Sequence, residues 1–213
     1  MSKYGKIAVG LLVIWFVAVL SASAMHLFQN VLNGFGLGIA VAALAPLIAF
    51  SLWFAASEGF RDFASSLNPR VLTSVQFGRI VGFTFVLLEA RNVLPAIFAI
   101  PAGYGDMFIG ATAGFAAWKL AEPAHRNRFV FWQLLGILDL ITAVSLGTTA
   151  RLIDPQGPPM AAMTVLPLSL IPTFFVPLFI MLHVICIAQA RSWKVATQVG
   201  RTAAGALQHP AIY

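Results

Sequence analysis

Long apolar runs alternate along this chain with short segments that gather its charges and turn residues. Runs near residues 7–25, 34–56, 70–91, 106–120, 129–146 and 171–190 predict helices. A helix crosses the roughly 30 Å hydrocarbon core of a bilayer with about 20 apolar residues. The pattern therefore predicts an all-α integral membrane protein, a six-transmembrane-helix bundle forming a single polytopic domain over residues 1–190. Residues 191–213 read as a short basic cytoplasmic tail.

The connections carry their own signals. Ser57 to Pro69 mixes Glu58, Arg61 and Asp62 with Phe60, Phe63 and Leu67, the composition of a short helix lying in the interface. Asn68-Pro69 marks the next helix start. Val93 to Gly105 is apolar but interrupted by Pro95, Pro101, Gly103 and Gly105. Helix 4 is therefore expected to begin only at Asp106, with that carboxylate as its N-cap. From Asp106 to Lys119 such a helix is about 20 Å long, short of the core thickness. Helix 4 is thus expected to be broken and short, its N-terminus in a recess below the outer surface. Asp154-Pro155-Gln156-Gly157-Pro158-Pro159 is a turn cluster. Pro172 and Pro177 predict a kinked helix 6.

The first helix has a second reading. Met1 to Lys6 is basic, Ile7 to Leu20 apolar, and Ala22-Ser23-Ala24 fits a signal-peptidase site. The apolar run is at the long end for a signal peptide, so an uncleaved helix is expected.

Orientation follows from the cations. With the N-terminus inside, the inner ends carry Lys3, Lys6, Arg61, Arg70, Lys119, Arg126, Arg128, Arg191, Lys194 and Arg201; the outer ends carry Arg91 and Arg151. Lys and Arg concentrate on the cytoplasmic side of membrane proteins, so both termini are expected inside. The expected location is multi-pass in a bacterial cytoplasmic (inner) membrane.

Composition excludes other classes. The chain is 60% hydrophobic and 9% charged, with mean hydropathy +0.88. Soluble domains carry about 25% charged residues, so lipid is the expected solvent and the bilayer the expected partner. The net charge of +6 is spread over the ends of apolar runs and not gathered on one face, so no nucleic acid is expected. The single cysteine, Cys186, builds neither an internal disulfide nor a thiolate metal site.

Arg79 is the one cation inside an apolar run. It lies roughly 14 Å from the level of Arg70, Asp139 roughly 16 Å from that of Arg128, and His183 roughly 12 Å from that of Arg191. Three ionisable groups on three helices thus share a level near the midplane. Ionisable groups at such depth are candidates for an ion or substrate pathway, and they also serve as structural ties. Arg79 and Asp139 are expected to pair across helices 3 and 5. Gln76 and Gly82 flank Arg79 by a turn, and Gly136 lies a turn from Asp139. His183 could carry a proton or sit as a hydrogen-bonded core residue. Bis-histidine haem would need a second histidine at that depth, and His26, His125 and His209 lie elsewhere; no cofactor and no metal are expected. Glu89, Arg91 and Asp106 form a second candidate group toward the outer side.

Gly103-Tyr104-Gly105-Asp106 resembles the end of the potassium-channel selectivity filter, and Val93 to Ile100 would then be a re-entrant segment. Pro101 and Ala102 stand where that filter has threonine and valine. The same four residues also make a turn ending in an N-cap. Gly110 and Gly114 form a small-xxx-small pair on helix 4.

Three function classes remain. One is a small-solute or proton-coupled transporter with a midplane polar site. Another is a structural or accessory subunit whose charges hold helices together. The third is a membrane-embedded enzyme or cofactor-binding subunit. A chain this small is expected to form a homo-oligomer or join a larger membrane complex.

Overall fold

The structure, a computed structural model, describes residues 2–29 and 36–193. Among these, all regular structure is helical. Six helices are long and apolar enough to cross a membrane: α1 (Lys3–Ala24), α2 (Leu37–Ala56), α4 (Pro69–Glu89), α5 (Ala96–Leu120), α6 (Pro123–Ile153) and α7 (Ile171–Ser192). The short helix α3 (Glu58–Ser66) lies between α2 and α4. The expected tail, beyond Trp193, and the start of the second run, residues 34–35, lie outside the described residues.

Local chemistry sets most ends. Ser2 accepts from the Gly5 amide at 3.1 Å and starts α1. Ser57 accepts from Phe60 at 3.2 Å and starts α3. Asn68 accepts from Arg70 at 2.9 Å, with Pro69 as first helical residue. Each side chain satisfies a first-turn amide that has no partner within its helix.

Helix 4 corrects the expectation. α5 begins at Ala96 and runs through Pro101, Gly103 and Gly105 without interruption. Its 25 residues span about 37 Å, enough to cross the core. Proline forfeits one backbone bond and glycine costs little inside a membrane helix, where neighbouring helices re-satisfy the backbone. The broken, short helix 4 is therefore absent. Asp106 is a mid-helix residue and no N-cap, and Gly103–Asp106 is helix, neither turn nor filter. Helix 5 also exceeds its expected end: α6 continues past Leu146 to Ile153. Thr148 and Thr149 hydroxyls donate back to the Val144 and Ser145 carbonyls at 3.0 and 2.7 Å, which lets polar residues continue the helix.

Helices α4, α5, α6 and α7 pack around one core, with α1 and α2 outside against α7 and α3. Half of the α7 span window is buried, against 6% for α2. The outward faces are apolar: Ile14 is 66% exposed, Leu52 65%, Phe77 59%. That distribution suits lipid as solvent, because no water-driven burial opposes it. Trp15 and Phe16 pack on Phe174, with ring centroids 4.5 and 5.1 Å apart, and the Ser23 and Ser169 hydroxyls are hydrogen-bonded. Gln189 on α7 donates to the Ala64 and Leu67 carbonyls, both at 2.8 Å. It thereby caps the C-terminal end of α3, whose Phe60 stacks on Trp53 of α2 at 3.9 Å.

Candidate functional site

The centre of the bundle is built on an unusual stretch of α4. Residues Val75–Gly82 are wound as a 3-10 helix, between α-helical turns Pro69–Ser74 and Phe83–Glu89. Runs of this winding longer than three or four residues are uncommon, because side chains at i and i+3 eclipse and the hydrogen bonds are poorer. Here that eclipsing is used. Thr73, Gln76, Arg79, Gly82 and Phe85, every third residue, are all buried. An α-helix would carry each successive member about 60° further round the axis. The 3-10 winding instead keeps Gln76, Arg79 and Gly82 in one line facing the core.

Arg79 is 1% exposed and contacts three other helices. Its Nε donates to Asp106 Oδ1 on α5 at 2.7 Å. One Nη donates to Asp139 Oδ2 on α6. The other donates to the Gly136 carbonyl at 3.2 Å and faces His183 Nε2 on α7 at 3.4 Å. The planar fork of guanidinium donors thus meets two carboxylates and a carbonyl. The two aspartates keep 13% and 15% side-chain exposure while Arg79 keeps almost none.

The His183 tautomer follows. A guanidinium only donates, so the Nε2 atom facing it accepts, and the ring proton sits on Nδ1. Nδ1 then donates to Gln133 Oε1, which turns the Gln133 amide so that Nε2 donates to Thr73 Oγ1 at 3.1 Å. Arg79 therefore orients a chain running from α4 through α7 and α6 back to α4. A second proton on His183 would point at the guanidinium, so of the two alternatives for His183 this geometry favours the hydrogen-bonded core residue over the proton carrier. Replacing His183 with Leu leaves Gln133 Oε1 and an Arg79 donor without partners. A loss of about 1–3 kcal/mol is expected, read as a lower melting temperature in detergent; an unchanged melting point would contradict the chain.

Glycines let these helices close on the cluster. A Cβ on Gly105 would collide with the Asp139 carboxylate, and one on Gly136 with the His183 ring. A Cβ on Gly103 would stand 2.7 Å from Val86 and 3.0 Å from the Gly82 carbonyl. The two glycines of Gly103-Tyr104-Gly105 are thus small where α4 and α6 approach, and Tyr104 between them is 58% exposed.

The structure brings Arg79, Asp139, His183 and Asp106 together. Gln76 sits beside them, donating to the Phe179 carbonyl at 3.4 Å, with its Oε1 unpartnered. Glu89 and Arg91 do not join: Glu89 lines an open cleft of about 520 Å³ with Asn92, Asp154 and Gln156, and Arg91 is exposed at the end of α4. Asp106 was expected with that outer group and belongs to the centre instead, because α5 extends well above it. Gln133 and Thr73 were not singled out from the sequence; the period-three row Thr73-Gln76-Arg79 was the available signal. A cavity of about 20 Å³ borders Asp106, lined otherwise by apolar side chains including Phe85, Phe98 and Leu140. No cluster suited to a metal ion occurs among the described residues.

No curated protein and no solved structure shows significant similarity to this chain. A family model does match, over residues 34–191. That stretch contains all four helices of the charge cluster, and by it the chain belongs to the family described as a domain of unknown function, DUF8737.

Proposed function

We propose that this protein is a multi-pass membrane transport protein whose central cluster binds and releases a proton. One observation carries the reading: a single buried guanidinium faces two carboxylates. With both aspartates ionised the cluster holds +1 and −2, a net −1; one proton makes it neutral. Uncompensated charge at membrane depth costs several kcal/mol, so a proton on the carboxylate pair is the natural counter-charge. Arg79 and His183 are almost wholly buried, whereas the Asp106 and Asp139 side chains keep 13% and 15% exposure, so the carboxylates are the less enclosed members of the cluster. A proton-coupled movement of a small solute is the function this arrangement serves best.

The rival reading is a structural tie in an accessory subunit, favoured by the number of Arg79 contacts. Infrared difference spectroscopy separates them. A protonated carboxyl has a C=O stretch distinct from that of a carboxylate. Between acid and alkaline buffer, the reconstituted protein should gain and lose one such band, and Asp106→Asn or Asp139→Asn should remove or shift it. A spectrum with no titrating buried carboxyl would leave only the structural tie.

The reading also assigns both termini to the cytoplasm, on the distribution of Lys and Arg. In intact cells, a cysteine placed at Gln156 should react with an impermeant thiol reagent, and one placed at Ser65 on α3 should not. The reverse pattern would invert the topology.

A further inference from the structure

We infer that the 3-10 segment Val75–Gly82 is the moving part of the site, held in its tight winding by the Arg79 contacts and relaxing toward an α-helix when they are released. This rests on the protonation reading above only for the trigger, and the winding itself stands on separate observations. First, eight residues of 3-10 helix lie in the middle of a span, bounded on both sides by ordinary α-helix. Such a stretch needs tertiary contacts to offset its poorer hydrogen bonds. Second, those contacts converge on its own residues. Arg79 is tied to Asp106 and Asp139, and Gly82 lies against Asp106, where a Cβ would collide. Third, the row that the winding keeps in line ends in an unpartnered acceptor, Gln76 Oε1, at 1% exposure. A buried orphan acceptor is costly, so this winding carries an unsatisfied polar atom within the segment itself.

The charged and titratable groups facing Arg79 are Asp106 on α5, Asp139 on α6 and His183 on α7. Among the described residues, α1 and α2 contribute none. Neutralising a carboxylate weakens its grip on the guanidinium. The rise per residue then falls from about 2.0 Å to about 1.5 Å over the segment, shortening α4 by about 4 Å. The angle per residue falls by about 20°, so the two ends of the segment turn relative to each other. Arg79, at its centre, is carried off the line that now joins it to both aspartates. Proton arrival and a change in the reach of Arg79 become one event, which a coupled transport step requires.

The test is a distance. Val71 and Leu87 flank the segment and face outward, at 58% and 51% exposure, so spin labels there avoid the cluster. Cys186, at 1% exposure, is the background control. Pulsed electron resonance in lipid nanodiscs should give a Val71–Leu87 label separation about 4 Å shorter at acid than at alkaline pH. Asp106→Asn and Asp139→Asn should each shift the alkaline distribution toward the shorter value. If a variant does not fold, the acid titration of the otherwise native chain decides alone. A separation unchanged by acid, and by whichever variants fold, overturns the winding change. A titrating carboxyl with constant separation would sink this inference and leave the proton site standing. A shortened separation in the Asn variants with no titrating carboxyl would do the opposite.

Discussion

Arg79→Gln will cost about 3–5 kcal/mol, the range for breaking a buried ion pair by removing one partner. The guanidinium is the only cation against Asp106 and Asp139 among the described residues, and it also supplies donors to the Gly136 carbonyl and His183. Without it, two carboxylates face each other at membrane depth. The loss should appear as a failure to elute as a monodisperse species, or as a large drop in melting temperature in detergent. The mechanism is checked by combination. Adding Asp106→Asn and Asp139→Asn to Arg79→Gln removes the uncompensated charge and should recover a good part of the loss. Groups in one network are expected to be non-additive in this way. A triple variant no better than Arg79→Gln alone would mean that the cost is packing and not charge.

Gly110→Ala will destabilise and Gly114→Ala will not, although the sequence presents the two glycines as one pair. A Cβ on Gly110 would stand 2.5 Å from the Ile80 amide nitrogen and 3.1 Å from the Arg79 carbonyl carbon. These are backbone atoms of the 3-10 segment and cannot step aside as a flexible side chain could. The α4–α5 seam must open, at a cost of about 1–3 kcal/mol for overpacking, and the Arg79–Asp106 hydrogen bond lies in that seam. Gly114 meets nothing within 4 Å and is exposed. Alanine there should be neutral or raise stability by about 0.5–1 kcal/mol, the helix preference of alanine over glycine. Melting temperatures of the two variants decide it. Equal effects would remove the assignment of Gly110 to the contact with α4.

The coarse fold was legible because lipid imposes a simple rule. Backbone groups in hydrocarbon must be bonded within the segment, so a run of about 20 apolar residues has few alternatives to a helix. The six spans and the short helix α3 follow from that rule and from local caps at Ser57 and Asn68. The reading failed where proline and glycine were taken to end helices, as they do in water. Pro101, Gly103, Gly105 and Gly147 all lie inside continuous helices, since breaking the backbone ladder in lipid costs more than a poor helix former does.

The charges were legible as individuals and only partly as a site. Depth along each helix placed Arg79, Asp139 and His183 near one level, because the 3-10 residues between Arg70 and Arg79 add only about 2 Å to the α-helical rise. Asp106 was assigned to the wrong level once the start of its helix was misplaced. Gln133 and Thr73 carry no charge and gave no depth signal. What only the tertiary structure decided is which residues share a face. Alternative helical windings read the same sequence differently, and a 3-10 stretch aligns Gln76, Arg79 and Gly82 where an α-helix would spread them. The choice between them is made by the aspartates and glycines of other helices, which lie far away in the chain and hold α4 in the tighter winding.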